Sequence, residues 1–369
     1  METDTASEVR GEQRCEDLLQ RAQEAWQAQR AAAAAKLALR AEACCDRRAE
    51  VRPCAAAAAQ LAAQAHWACG EHALSHGAAL RAAALFEALQ RPGDQVAMLA
   101  HAALAACSAG LPSDALPLAS EALALATAAG LFEGMVSALN ALAHVQANLG
   151  AFAEAELLHL QALSRAREAG DGQLLVRCYA NALMDGVLAC EELRHQGQPQ
   201  LLEARAQRLL VLAAQARRHL NEPFMSEVQR AILHLNLGHA LMSAGRLGEA
   251  EQLLGTSLQL LQAPALVLPR QSALHAMAEL ALRQGALELA GQRLHELLAH
   301  EELLGANALL REQVLRSALQ WSSASGDEAL QHKYAAQLQR VQDDQRRVRE
   351  QAAADIRAAS AAVQLALRH

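Results

Sequence analysis

The chain has 369 residues, 53% of them hydrophobic but only 2% aromatic, and a formal net charge of −7 with a pI near 6.1. That balance excludes a general attraction to nucleic acid or to an anionic membrane surface. Much of the apolar share is alanine, the best helix former but a small buried surface, so cohesion has to come from many close helix contacts rather than from a β-rich core.

The first residues, "METDTASEVRGEQRCEDLLQ", carry acids where a signal peptide has bases, and they lack its apolar centre. Residues 1–11 are expected to be disordered and the protein to be cytoplasmic. An array of paired helices is expected over 12–327. It opens with "LLQRAQEAWQAQRAAAAAKLALRAEACC", which has a two-helix look without a glycine. The stretch from Met98 to Leu118 is weakly polar but interrupted by Gly110 and Pro112, so it reads as buried helix and not as a membrane span.

One pattern then recurs: a glycine, four residues, an alanine, with helical apolar periodicity on both sides. It fits Gly77 to Ala82 ("GAALRA"), Gly110 to Ala115 ("GLPSDA"), Gly150 to Ala155 ("GAFAEA"), Gly245 to Ala250 ("GRLGEA") and Gly285 to Ala290 ("GALELA"); Gly326 in "SGDEAL" starts a looser copy. A glycine ends a helix because it takes the left-handed conformation without steric cost. The alanine lets the second helix pack close to the first. The glycine steps are 33, 40, 95, 40 and 41, and the long one leaves room for a further hairpin. Steps of this kind mark a solenoid, in which no unit buries its apolar face alone. Loops are expected near 192–200 ("ELRHQGQPQ") and 219–224 ("HLNEPF"), with an amphipathic helix from Leu201 to Leu220 between them. Pro264 and Pro269 are expected to stop a helix before the next unit.

Residues 328–369 contain no Gly or Pro and read as one long helix. Leu338, Val341, Gln345, Val348 and Ala352 alternate steps of three and four, and Ile356, Ala359, Val363 and Ala366 resume after one extra step of four. That is coiled-coil-like periodicity with a stutter. A capping helix lying on the last repeat and a homodimer contact are both open readings.

"LNLGHALMSAGRLGEAEQLL" resembles the tetratricopeptide repeat (TPR) family: Leu237 and Gly238 fall on its paired Leu-Gly, Leu241 on its large residue and Ala250 on its small one. Around Gly150, Leu142, Phe152, Ala155 and Ala162 match, with Ala143 in place of the glycine. The resemblance covers roughly residues 54–330 and extends to 12–50 with less support. It implies an all-α, TPR-like superhelix of antiparallel helical hairpins ending in a long helix. It also implies a concave groove, lined by the first helix of each hairpin, for a protein or peptide partner. On that face it places Ser137, Asn140, His144 and Asn148, then His239, His275, Glu279, Arg283, Arg316 and Gln320. Amides bond a peptide backbone and arginine forks onto a carboxylate. The competing reading is an ordinary solvated stripe. The family's lysine-rich carboxylate clamp is missing; the only lysines are Lys36 and Lys333. An array ending in a charged helix is also similar to the sensory half of bacterial signalling proteins of the diguanylate cyclase type, which implies a dimerising input region as the alternative.

No motif carries catalysis. Cys69, His72 and His76 have spacing that suits zinc or copper, with Cys44, Cys45 and Cys54 nearby in sequence. No second close Cys/His pair follows, so neither metal nor cofactor is expected. In "HELLAH" His295 and His300 are five apart and diverge around a helix. No nucleophile elbow and no phosphate loop with lysine is present. The eight cysteines show no paired spacing and read as reduced thiols. The expectation is a non-enzymatic interaction module, regulatory or scaffolding, without nucleic-acid or membrane partners.

Overall fold

Alanine-rich segments punctuated by glycine fold as helix after helix. The computed structural model describes residues 2–28, 30–45, 53–262, 267–299 and 308–366. Among the described residues are sixteen helices and no strand. In chain order they are α1 (Glu2–Gln27), α2 (Ala31–Cys45), α3 (Pro53–Ala68), α4 (His72–Ala88), α5 (Pro92–Ser108), α6 (Pro112–Ala128), α7 (Phe132–Asn148) and α8 (Phe152–Ala169). There follow α9 (Gly172–His195), α10 (Pro199–Arg217), α11 (Glu227–Ser243), α12 (Leu247–Leu260), α13 (Val267–Arg283), α14 (Leu287–Ala299), α15 (Ala308–Ser325) and α16 (Glu328–Ala366). The chain divides into two compact units, residues 1–165 with 349–369, and residues 166–348.

In the first unit the turns keep strict time. Gly70, Gly110, Gly130 and Gly150 have positive φ, as does Gln90 (φ 54), so one turn falls every twenty residues, and Gly170 in the second unit keeps the same step. Each helix end is closed by its own backbone. The Gly110 N–H donates to the Cys107 carbonyl at 2.9 Å and the Leu111 N–H to that of Ala106 at 3.0 Å; Gly130 and Leu131 repeat this with Thr127 and Ala126. These paired bonds satisfy carbonyls that a helix end otherwise leaves without partners. Gly245 and Gly285 use the same closure in the second unit.

The expectation at Gly77 fails. Gly77 lies inside α4, and the hairpin turn sits at Gly70. Five residues on, Ser75 stands where the other hairpins have alanine; it is fully buried and its Oγ donates to the Ala63 carbonyl at 2.8 Å. A pattern that demanded alanine slid past the true turn. The first step is therefore forty, and the hairpins at Gly70, Gly110 and Gly150 are evenly spaced.

Small residues set the packing. Ala103, Ala106, Ala115, Ala119, Ala122, Ala126, Ala138 and Ala141 form one buried cluster with Phe86, Val96 and Val145. In the second unit, a Cβ on Gly238 would stand 2.5 Å from Leu254 Cδ2, so α11 and α12 meet closer than alanine allows. Gly291 of α14 faces the Trp321 ring in the same way.

The long glycine step holds α9 and α10, joined at Gly197. α10 buries Ala206, Leu209, Ala213 and Ala216 along one face. The segment between Arg217 and Glu227 is turn, and a capping box of Ser226 and Gln229 opens α11. Pro269 does not precede the next helix: it sits in the first turn of α13, where a missing N–H costs nothing. Pro264 lies outside the described residues. The first helix begins at Glu2, so it includes most of the eleven residues that the sequence sets apart. α16 is a single helix of 39 residues. Tyr334 and Val341 are buried with Leu310, Val314, Leu315 and Ala318, so its first half lies on the last hairpin. The side chains of Gln345, Val348, Ala352, Ile356, Ala359, Val363 and Ala366 lie outside the described residues.

Candidate functional site

On α7, Ser137, Asn140, His144 and Asn148 follow steps of three and four and share one face. Asn148 is exposed at the helix end and its Nδ2 donates to the His144 carbonyl at 2.8 Å. Ser137 and His144 are half-buried, while Asn140 is only 6% exposed. Asn140 is therefore packed inside the layer as much as offered by it.

In the second unit the first helices of successive hairpins lie side by side and exchange polar contacts. Asn236 of α11 donates to the Ala180 carbonyl of α9 at 3.2 Å. His275 of α13 has its Nε2 3.0 Å from Ser317 Oγ of α15. Two guanidinium groups converge on the last turn of α11: Arg194 donates to the Ser243 carbonyl at 3.3 Å and Arg283 to that of Met242 at 3.2 Å. A helix C-terminus is where cations are favoured. The other arm of Arg283 holds Glu279 at 3.1 Å.

Charges inside this row are tightly coupled. Burial pushes the His239 imidazole down to about 4, Glu279 pulls it up, and His275 and Arg283 push it further down. Burial also lowers His275. Burial alone would raise the Glu279 carboxyl, but His275, Arg283 and His239 outweigh it and hold it below its ordinary value. Burial and the neighbouring charge of Arg283 lower Arg194. At neutral pH the row is thus a carboxylate between two uncharged imidazoles, flanked by two arginines.

Arg316 and Gln320 lie on the exposed side of α15. The Arg316 fork is occupied within the chain: Nη2 lies 2.6 Å from Glu312 Oε1, to which Gln342 of α16 also donates at 3.1 Å. Sequence reasoning found His239, His275, Glu279 and Arg283, which the structure brings together. It missed Arg194, Glu312 and Ser317. The spacing of four between Glu312 and Arg316 was a visible signal. Arg194 carried none, because its role depends on α9 and α11 being neighbours.

The Cys69, His72 and His76 trio does not converge. His76 Nδ1 is turned to the Ala102 carbonyl at 2.9 Å, and burial raises the Cys69 thiol, with Glu71 adding to it. Among the described residues no three His, Cys, Asp or Glu side chains stand as a metal-binding group. The cysteine spacing hid one close approach, Cys15 and Cys54, whose sulfurs are 2.7 Å apart. His295 packs edge-on against Trp321, with ring centroids 5.2 Å apart, and His300 lies outside the described residues. No described helix is long and apolar enough to cross a membrane.

No family model matches the chain, and no curated protein matches it. Solved structures do. A Rap protein complexed with Competence and Sporulation Factor is 13% identical with a TM-score of 0.56, over 91% of this chain and 99% of that one. The apo form of RapI is 11% identical with a TM-score of 0.53, over 79% of this chain and 98% of that one. At such identity the likeness is one of fold. Both are TPR-like helical-repeat proteins, and the fold here is of that type.

Proposed function

We propose that the chain is a non-enzymatic regulatory module that binds a protein or peptide segment, and that the polar row on the first helices of the second unit receives it. One observation carries this reading. His239, His275, Glu279, Arg283 and Arg194, from three consecutive first helices, form a single coupled network. A coupled polar row of this kind offers hydrogen bonds to a peptide while its own geometry is already held by the fold. One fold neighbour was solved with a factor bound, Competence and Sporulation Factor, which agrees with a TPR-like layer serving as a docking surface. The α7 row of Ser137, Asn140, His144 and Asn148 is proposed as a second contact surface, in the first unit.

The test is capture from the native cell with quantitative mass spectrometry, using the wild-type chain, Arg283→Ala, His239→Ala and Arg346→Ala as baits. A partner of the row is retained by wild type and Arg346→Ala and lost by the other two. Removing a charged hydrogen-bonding partner costs about 1.5–3 kcal/mol, or roughly ten-fold to a hundred-fold in affinity. Loss on Arg346→Ala alone favours the alternative, a dimerising input region of the diguanylate cyclase type working through α16. The long uninterrupted helix is the observation behind that second reading.

A further inference from the structure

Three histidines lie where α3, α4 and α5 pack, in the first unit and away from every contact residue named so far. His76 is fully buried on α4, and its Nδ1–H donates to the Ala102 carbonyl of α5 at 2.9 Å. Its other nitrogen, Nε2, is buried and has no partner. His72 Nδ1 is buried without a partner as well. Ser75 spends its proton on the Ala63 carbonyl of α3, so at 2.9 Å it accepts from His101 Nε2 of α5. The Trp67 ring at the end of α3 lies 5.0 Å from that of His72 and 5.4 Å from that of His101.

The partnerless Nε2 of His76 and Nδ1 of His72 suit neutral imidazoles, since a proton on either would be buried without an acceptor. A proton on His76 Nε2 would put a charged N–H without an acceptor in a fully buried side chain. Protons on His72 and His101 would set two mutually repelling cations beside one indole. We propose that this joint is an acid-sensitive latch, closed while His72, His76 and His101 are uncharged and released when they take up protons.

The other titratable groups at the joint are few. Glu71 faces His66 at 2.6 Å. Asp114 of α6 acts on His76 and pulls its proton affinity up, and Cys69 stays a thiol. Burial lowers all three latch histidines below their ordinary value, with His72 lowering His101 further. The sign follows: the opened joint binds protons more readily than the closed one, so the latch holds above the ordinary imidazole range and loosens as pH falls.

Trp67 is the natural probe. In a Trp26→Phe, Trp321→Phe background it is the sole indole, and its emission is followed from about pH 8 to about pH 4. The expected result is a reversible change with a midpoint below the ordinary imidazole value, while helicity by circular dichroism is kept. His76→Gln and His101→Gln should each displace or flatten that transition. An unchanged emission, a curve identical in both variants, or a change only where helicity collapses would overturn the latch. If a variant does not fold, amide exchange on the wild type decides. Faster exchange in α3 to α5 ahead of α6 and α7 on acidification supports the proposal, and uniform exchange overturns it.

Discussion

Single residues hold this array at two kinds of place, the close approach and the left-handed turn. Gly238 is a close approach: Leu254 occupies the space its Cβ would need. Gly238→Ala should cost about 1–3 kcal/mol, as overpacking does, and lower the thermal midpoint in a melt followed by circular dichroism. Gln90 is the opposite case. It takes φ 54 where its sister turns have glycine, a conformation that strains an L side chain. Gln90→Gly should stabilise the chain by up to about 1 kcal/mol, the relief of strain being partly offset by glycine's entropy. A melt showing destabilisation would mean that the Gln90 side chain holds contacts worth more than the strain. His239 adds a pH term. Its folded pKa of about 4 lies below its ordinary value, so the unfolded chain protonates first as pH falls and stability is lost from about 6.5 toward 4. Denaturant unfolding at pH 7 and near pH 5 should show a smaller loss in His239→Gln than in wild type.

At the scale of the element, helix ends are made by the backbone more than by side chains. The helices that begin after Glu71, Arg91, Leu111 and Leu131 have no side-chain cap. Their start is fixed by the turn before them. Where the twenty-residue rhythm ends, two helices gain a side-chain cap: Asp171 caps α9 through the Leu174 N–H at 3.0 Å, and Ser226 caps α11, while α10 and α12 again begin without one. Replacing Gly130 with valine should therefore injure two helices at once, because a β-branched residue is poorly suited to φ 64. The expected cost is about 1–2 kcal/mol. Amide exchange should rise at both the end of α6 and the start of α7. Protection lost from α6 alone would show that α7 does not depend on that turn.

For the molecule as a whole, the functional question is which surface works. The row in the second unit and the helix α16 make opposite predictions for the same pair of variants, Arg283→Ala and Arg346→Ala. Chain mass in solution adds an independent check. A homodimer through α16 should dissociate when its exposed positions are charged, whereas partner capture by the row needs no change in mass.

The alternation of helix and turn was readable from the sequence, because alanine favours helix and glycine favours the left-handed cap whatever surrounds them. The hairpins at Gly110, Gly150, Gly245 and Gly285 follow from that chemistry alone. Gly70 escaped because serine replaced the small residue, and a serine hydroxyl is acceptable there only when a carbonyl such as that of Ala63 is within reach. The candidate row was half legible: His275, Glu279 and Arg283 recur every four residues on one helix and announce a polar face. What those residues do to one another was not legible. Only the packing of α9, α11 and α13 decided that Arg194 stands beside Arg283, that burial lowers the His239 imidazole, and that Glu279 keeps its charge between them, since those effects act through space between residues far apart in the chain.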